Sequence, residues 1–418
     1  MSTGGARHFA RLRHTLFGRR YWSKYRFTAG NEVKLFRSGD AFFASLIARI
    51  DAAAKDLVLE TYIFCDDAAG QSISAALLRA AARGVRVRVM TDGIGTARLT
   101  LFNDWPERGV EHLIYNPHLF GRFGFSRTHR KLAVVDDQFA WCGGINIVDD
   151  YENDGVRLPY RRWDFAVELH GPVVGDVRDA LETQWHRIRF GRRPVESLQP
   201  DFTLRDNISP GAPSHGRNRS ADLRGAGEPA VAFVARDNLV NRRAIEKAYL
   251  TAIGQARNEV LLANPYFMPG RKLRRALVFA ARRGVEVKLI IGRKEFAALD
   301  YAVPFLYRSL LKAGVKIAEY EKTLLHGKVA VVDSNWGTVG SSNLDALSLM
   351  LNNEANVVLV GDRQIDALRE AILVAFDEAR RVDLAHYEAR PAGERLLNWL
   401  AYTAYRFAMK LLTVGDYD

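Results

Sequence analysis

At 418 residues, with 48% hydrophobic and 26% charged residues, the chain can bury two domain-sized cores and is neither disordered nor fibrous in composition. A formal charge of +12 directs attention to anionic partners, with nucleic acid and acidic lipid as the two classes. Cys65 and Cys142 stand far apart, which excludes a disulfide framework or zinc-finger spacing and fits a reducing compartment.

Residues 1–31 interleave seven Arg and Lys side chains, from Arg7 to Arg26, with aromatic residues such as Phe17, Tyr21 and Trp22, and contain no acidic residue. No apolar core of a signal peptide is present there. Nowhere does an uncharged apolar run approach the ~18 residues of a membrane span, so no transmembrane helix is expected. Residues 32–190 open a first lobe. Phe42, Leu46 and Ile50 fall at helical spacing, and Asp56 to Phe64 reads as a strand. A helix through Ile73, Leu77 and Leu78 stops at Gly84, and the alternation from Val85 to Val89 predicts the next strand.

Residues 230–382 repeat this order. Ile245, Tyr249 and Ile253 open it, Val260 to Phe267 replays the strand, Leu273 and Leu277 the helix, and Gly284 the stop. Between the halves, residues 191–229 hold Pro194, Pro200, Pro210 and Pro213 among polar residues and read as a linker or mobile loop. Residues 383–418 include an aromatic, amphipathic stretch from Leu396 to Leu412. Strand–helix–strand units in duplicate predict an α/β fold of two homologous lobes, each a mixed sheet flanked by helices, meeting face to face.

The chemistry sits at corresponding points of the repeat. His129-Arg130-Lys131 runs through Leu132 and Val135 to Asp136, followed by Gly143-Gly144-Ile145-Asn146. His326-Gly327-Lys328 runs through Val329 and Val332 to Asp333, followed by Gly340-Ser341-Ser342-Asn343. His129 and His326 stand 197 residues apart, as do Asn146 and Asn343. The apolar runs make both motifs strands, so each histidine shares a face with the lysine two residues on. Asp136 and Asp333 fall on the opposite face and are assigned to structure.

A lysine beside a histidine repels a metal dication but suits a phosphate. Lys131 and Lys328 neutralise non-bridging oxygens, and Asn146, Asn343 and Ser341 supply donors. One neutral histidine can attack phosphorus while a second, protonated, gives its proton to the leaving oxygen. An unperturbed pKa of about 6.5 makes both forms available near neutrality.

With these two motifs in tandem the chain resembles the phospholipase D superfamily, and within it the short bacterial cardiolipin synthase B type. The resemblance spans residues 32–381 and includes Leu59-Glu60-Thr61-Tyr62-Ile63-Phe64, Asn264-Pro265-Tyr266-Phe267 and Leu351-Asn352-Asn353-Glu354. It implies one site at the pseudo-twofold interface, no metal or cofactor, and a covalent phosphatidyl-histidine. By family habit His129 is the nucleophile and His326 the acid, the reverse assignment staying open in a pseudosymmetric site. The family's histidine-orienting acids match Asp164 and Glu354, each serving the histidine of the other lobe; for Asp164 a sheet-edge carboxylate is the competing reading.

The expected reaction joins two phosphatidylglycerol molecules into cardiolipin and glycerol. Hydrolysis of phospholipids is the alternative, and a nuclease or a non-catalytic scaffold follow behind it. The expected partners are phosphatidylglycerol, other phospholipids and an anionic membrane surface, not nucleic acid, and no oligomeric state is implied. The expected location is peripheral, at the cytoplasmic side of a bacterial inner membrane. The basic N-terminus and the amphipathic C-terminus are the expected surface contacts, unless they pack on the body or bind a partner. Residues 115–127, with Arg122 and Arg127 among Phe120, Phe123 and Phe125, either line a lipid entrance or form a packed loop.

Overall fold

The computed structural model describes residues 26–96, 98–153, 155–191, 228–237, 241–293 and 297–412. Most of the basic N-terminal segment, nearly all of the linker and the last six residues of the C-terminal region therefore lie outside the described residues.

The first sheet contains β1 (Glu32–Phe36), β2 (Asp56–Thr61), β3 (Arg86–Asp92), β4 (Val110–Tyr115), β5 (Leu132–Val135), β6 (Phe139–Gly143) and β9 (Ala166–His170). A small hairpin, β7 (Glu152–Asn153) and β8 (Val156–Arg157), projects between β6 and β9. The order across the sheet is β1-β9-β6-β5-β2-β3-β4. The second sheet contains β10 (Ala230–Arg236), β11 (Glu259–Asn264), β12 (Glu286–Gly292), β13 (Lys316–Tyr320), β14 (Lys328–Val332), β15 (Trp336–Gly340), β16 (Glu354–Val360) and β17 (Arg380–Val382). Its order, β10-β16-β15-β14-β11-β12-β13-β17, repeats the first with one strand added. In each sheet three consecutive strands run parallel, β2-β3-β4 and β11-β12-β13, and the other pairings are antiparallel.

Helices α1 (Gly39–Ala52) and α2 (Ala68–Ala82) cover the outer face of the first sheet, burying Phe42, Leu46, Ile73 and Leu77 against β2 and β3. Glycine ends α2 as the spacing predicts. Gly84 takes φ 87°, its N–H reaches Ala81 O, and Val85 N–H reaches Ala80 O, a double capping bond that needs a left-handed residue. Gly284 does the same after α5 (Arg271–Arg282) at φ 90°. With α4 (Ala244–Gln255), α5 covers the outer face of the second sheet.

The inner faces meet each other. Val134 and Val167 share one core with Val329 and Val357, closed by Trp185 of α3 (Val173–Phe190) and Phe376 of α8 (Gln364–Glu378). Each sheet therefore buries both faces, which explains why β5, residues 329–332 of β14 and residues 357–360 of β16 read as continuous apolar runs rather than alternating ones.

Short helices α6 (Ala297–Ala302), α7 (Tyr307–Leu311) and α9 (Leu384–Glu388) lead to α10 (Ala392–Leu412). One side of α10 rests on the body. Asn398 Nδ2 donates to Tyr301 O, the Tyr402 ring stacks on Phe305 at 4.5 Å, and the Tyr405 hydroxyl accepts Ala346 N–H. Leu396, Trp399, Phe407 and Leu411 on the same helix stay exposed. No helix of the described residues is long and apolar enough to cross a membrane.

Candidate active site

The parallel strands of each sheet end at the same edge, and chain segments just beyond those ends build the site. β5 begins only at Leu132, so His129, Arg130 and Lys131 lie ahead of the strand rather than within it. The reason is a competing partner. Thr128 bridges to Asn353 of the other lobe, with His129 N–H donating to Asn353 O at 2.9 Å and Asn353 N–H to Arg127 O at 2.8 Å. The second motif is held reciprocally: Trp163 bridges to Leu325, Trp163 N–H donates to Leu324 O, and His326 N–H donates to Trp163 O. Extended backbone still sets the side-chain faces. Lys131 Nζ donates to His129 O at 2.7 Å, and Lys328 Nζ donates to His326 O.

Each of these backbone clasps continues into an acidic side chain. His326 Nδ1 lies 2.6 Å from Asp164 Oδ2, and His129 Nδ1 lies 3.1 Å from Glu354 Oε2 and 3.0 Å from Ser341 O. All of these partners only accept, so Nδ1 carries the proton and Nε2 keeps its lone pair. Both acids are buried, which pushes their pKa up, but the facing imidazole together with Lys328 at Asp164 and Lys131 at Glu354 holds both below the ordinary carboxylate value. The acids orient the rings through these hydrogen bonds and stabilise them once protonated.

The lysines complete one electropositive cluster. Burial, then the charge of Lys328, lowers Lys131 to about 7. Burial, then Lys328, lowers His326 to about 3, and burial also lowers His129. Both histidines are therefore neutral at pH 7, with Lys131 poised to titrate. An anionic phosphodiester is the counter-charge that would raise all three. Because Lys131 loses its charge as pH rises through about 7, affinity for a non-hydrolysable phosphodiester analogue is expected to fall above that pH. One linked proton gives about a tenfold loss per pH unit. Lys131→Arg, which cannot deprotonate, should flatten the slope. Titration calorimetry from pH 6 to 9 checks this, and an unchanged wild-type affinity would remove Lys131 from the anion site.

Asn146 Oδ1 accepts Ile63 N–H at 3.1 Å, and the Asn343 side chain is buried. Ser341 departs from its expected role at phosphate. Its hydroxyl donates to Glu354 Oε2 at 2.5 Å and accepts Ala355 N–H, so it serves the acid that holds His129. The corresponding Gly144 has no such function: a Cβ there would lie 2.2 Å from Asp164 Oδ1. Asp136 takes φ 51° and accepts the N–H groups of Ala54, Lys55 and Asp56, tying the end of β5 to the start of β2. Asp333 likewise takes φ 51° and accepts from Arg257, Asn258 and Glu259.

Sequence reasoning missed the residues flanking His129. Glu60, at the end of β2, is buried; it accepts the Thr128 hydroxyl and pairs with Arg130 at 2.7 Å. Asp92 accepts Thr128 N–H at 2.9 Å and faces Arg127 at 3.4 Å. A carboxylate inside an otherwise apolar strand was the available signal for Glu60, since a buried charge requires a partner. The Tyr62 ring meets His129 edge-on at 4.8 Å and lies under Lys131 Nζ at 5.2 Å.

The family described as "Cardiolipin synthase, PLD-like domain" matches residues 46–154 and 249–373. Cardiolipin synthase B of Salmonella typhi is 38% identical over 363 residues, covering 85% of this chain and 83% of its own length. Cardiolipin synthase B of Escherichia coli K12 is 38% identical over 337 residues, covering 79% of this chain and 76% of its own. Among solved structures, the phosphatidylserine synthase of Haemophilus influenzae superposes with a TM-score of 0.65 at 14% identity. It covers 96% of this chain and 98% of that one, a likeness of fold.

Proposed function

The chain belongs to the cardiolipin synthase family with phospholipase D-like domains and is a phosphatidyltransferase acting on phospholipids; from its site we propose the course of the reaction. His129 Nε2 attacks the phosphorus of one phosphatidylglycerol as the bond to its glycerol oxygen breaks. His326 gives its proton to that oxygen, and glycerol leaves. The phosphatidyl group stays on His129. A hydroxyl of a second phosphatidylglycerol then attacks phosphorus, His326 takes its proton, and cardiolipin departs with His129 restored.

Lys131 and Lys328 neutralise the non-bridging oxygens, with Asn146 and Asn343 donating to the same group. Asp164 and Glu354 orient the two rings and stabilise their cationic forms. The observation that supports this reading is the pair of Nδ1–carboxylate contacts, each made across the lobes, which keeps both Nε2 lone pairs available for the reaction. A neutral His129 suits the nucleophile directly, and the charge of the bound phosphodiester favours the protonated acid at His326. The membrane surface is the remaining partner we assign, contacted peripherally from the cytoplasmic side of a bacterial inner membrane. The exposed apolar side chains of α10, with Arg395, Arg406 and Lys410 along the same helix, support that contact.

The test is incubation with phosphatidylglycerol in mixed micelles, reading cardiolipin, glycerol and phosphatidic acid together, with His129→Ala as the blank. Cardiolipin with matching glycerol, absent from the blank, is the expected result. Phosphatidic acid alone would make the protein a hydrolase. Failure with every phospholipid, alongside cleavage of DNA, would overturn the lipid reading.

A further inference from the structure

The segment between β4 and His129 is built as a rigid projection, yet it exposes three large apolar side chains. Asn116, at φ 44°, donates from Nδ2 to Gly124 O and Ser126 O and accepts Phe123 N–H. The Arg127 guanidinium donates to Asn116 O, His118 O and Ser126 O. Gly121 and Gly124 exchange backbone hydrogen bonds, and Phe123 stacks on Tyr115 at 4.7 Å. Despite this scaffolding Leu119 is 66% exposed, Phe120 68% and Phe125 44%. A stiff loop that spends so many polar contacts on holding apolar tips outward marks an interaction surface.

Its position selects the occupant. Phe125 is four residues before His129, a distance of at most about 14 Å of extended chain. The acyl boundary of a bilayer lies roughly 5–10 Å beneath the headgroup region in which interfacial side chains settle. A phosphate at His129 and aromatic tips at the acyl boundary are therefore compatible with one docked molecule. Arg122 is exposed at the turn, where an anionic headgroup layer would meet it. We infer that residues 117–125 insert their apolar tips into the bilayer that supplies the substrate, so that a phospholipid passes to His129 without leaving the membrane. This inference rests on the phospholipid reading above.

The experiment places an environment-sensitive fluorophore at Leu119→Cys in a Cys65→Ser background, Cys142 being buried. Vesicles of phosphatidylglycerol and phosphatidylcholine carry brominated acyl chains as quenchers. A label at Glu107→Cys, beyond the opposite end of β4, serves as the control. The expected result is a blue shift and quenching at 119 and neither at 107. Beside this, a Leu119→Ser/Phe120→Ser/Phe125→Ser variant should lose at least tenfold in turnover of vesicle-embedded phosphatidylglycerol and keep its turnover of a monomeric short-chain analogue. Turnover of vesicles with no spectral change at 119 would overturn the insertion while leaving the lipid chemistry intact. An equal loss on both substrates would overturn it too, since the loop would then serve the site and not the bilayer. Absence of both turnover and spectral change would overturn the two readings together.

Discussion

Alanine at His326 is expected to lower phosphatidyl transfer by about 10²–10⁴-fold, the span typical of a lost general acid, and alanine at His129 to lower it to background. On the proposed mechanism the two imidazoles act on one phosphorus, so the double variant should be no slower than His129→Ala alone. The assignment of roles predicts a further difference. A donor whose leaving group is p-nitrophenol needs no proton, so His326→Ala should recover most of its loss in the single-turnover release of p-nitrophenol, while transfer to the acceptor still lacks its base. His129→Ala should recover none, because nothing replaces the attacking nitrogen. Initial rates on both donors, with thermal melts confirming folded variants, decide the matter. Recovery in His129→Ala instead would exchange the roles, and substantial phosphatidylglycerol turnover in both single variants would dismantle the shared site.

Loss of Glu60 is expected to have the largest effect on stability. Its side chain is fully buried and pairs with Arg130, which is itself buried. Breaking such a pair from one side leaves a buried charge uncompensated and costs about 3–5 kcal/mol. For a chain of this size Glu60→Ala should lower the melting temperature by on the order of 5 °C. Removing the stranded charge as well, in Glu60→Ala/Arg130→Met, should restore part of it. Scanning fluorimetry reads both variants, and a melting temperature within 2 °C of wild type for Glu60→Ala would mean the pair holds nothing together. The second lobe offers an internal contrast. Ala263 occupies the register of Glu60, opposite Val329 where Glu60 faces Leu132, and Gly327 stands where Arg130 does. There Trp163 fills the space: a Cβ on Gly327 would lie 2.7 Å from its ring.

What was legible in the sequence was what repeats locally. The strand–helix–glycine–strand unit and the His–Lys spacing depend on periodicity and on one left-handed residue, and both survive into three dimensions. The acids Asp164 and Glu354 were reached through resemblance alone, and their spacing shows why. They stand 190 residues apart where the motifs stand 197, since the first lobe inserts the β7–β8 hairpin before its acid. The late start of β5 and the true partner of Ser341 were out of reach. The first is decided by the other lobe through Asn353, more than two hundred positions away, and the second by Glu354, whose place beside Ser341 depends on how β15 and β16 pair and on no local pattern. The C-terminal helix was legible as amphipathic, but which side meets the body depends on Tyr301, Phe305 and Ala346.

The crossed backbone clasps have a bearing on synthesis. A ribosome finishes the first lobe long before Leu325 and Asn353 emerge, and until then Trp163 has nothing to grip and His129 lacks both its backbone acceptor and its carboxylate. On the proposed mechanism a half-made chain would lack the completed site, even where it already touches lipid. Competence would arrive only once the final strands dock.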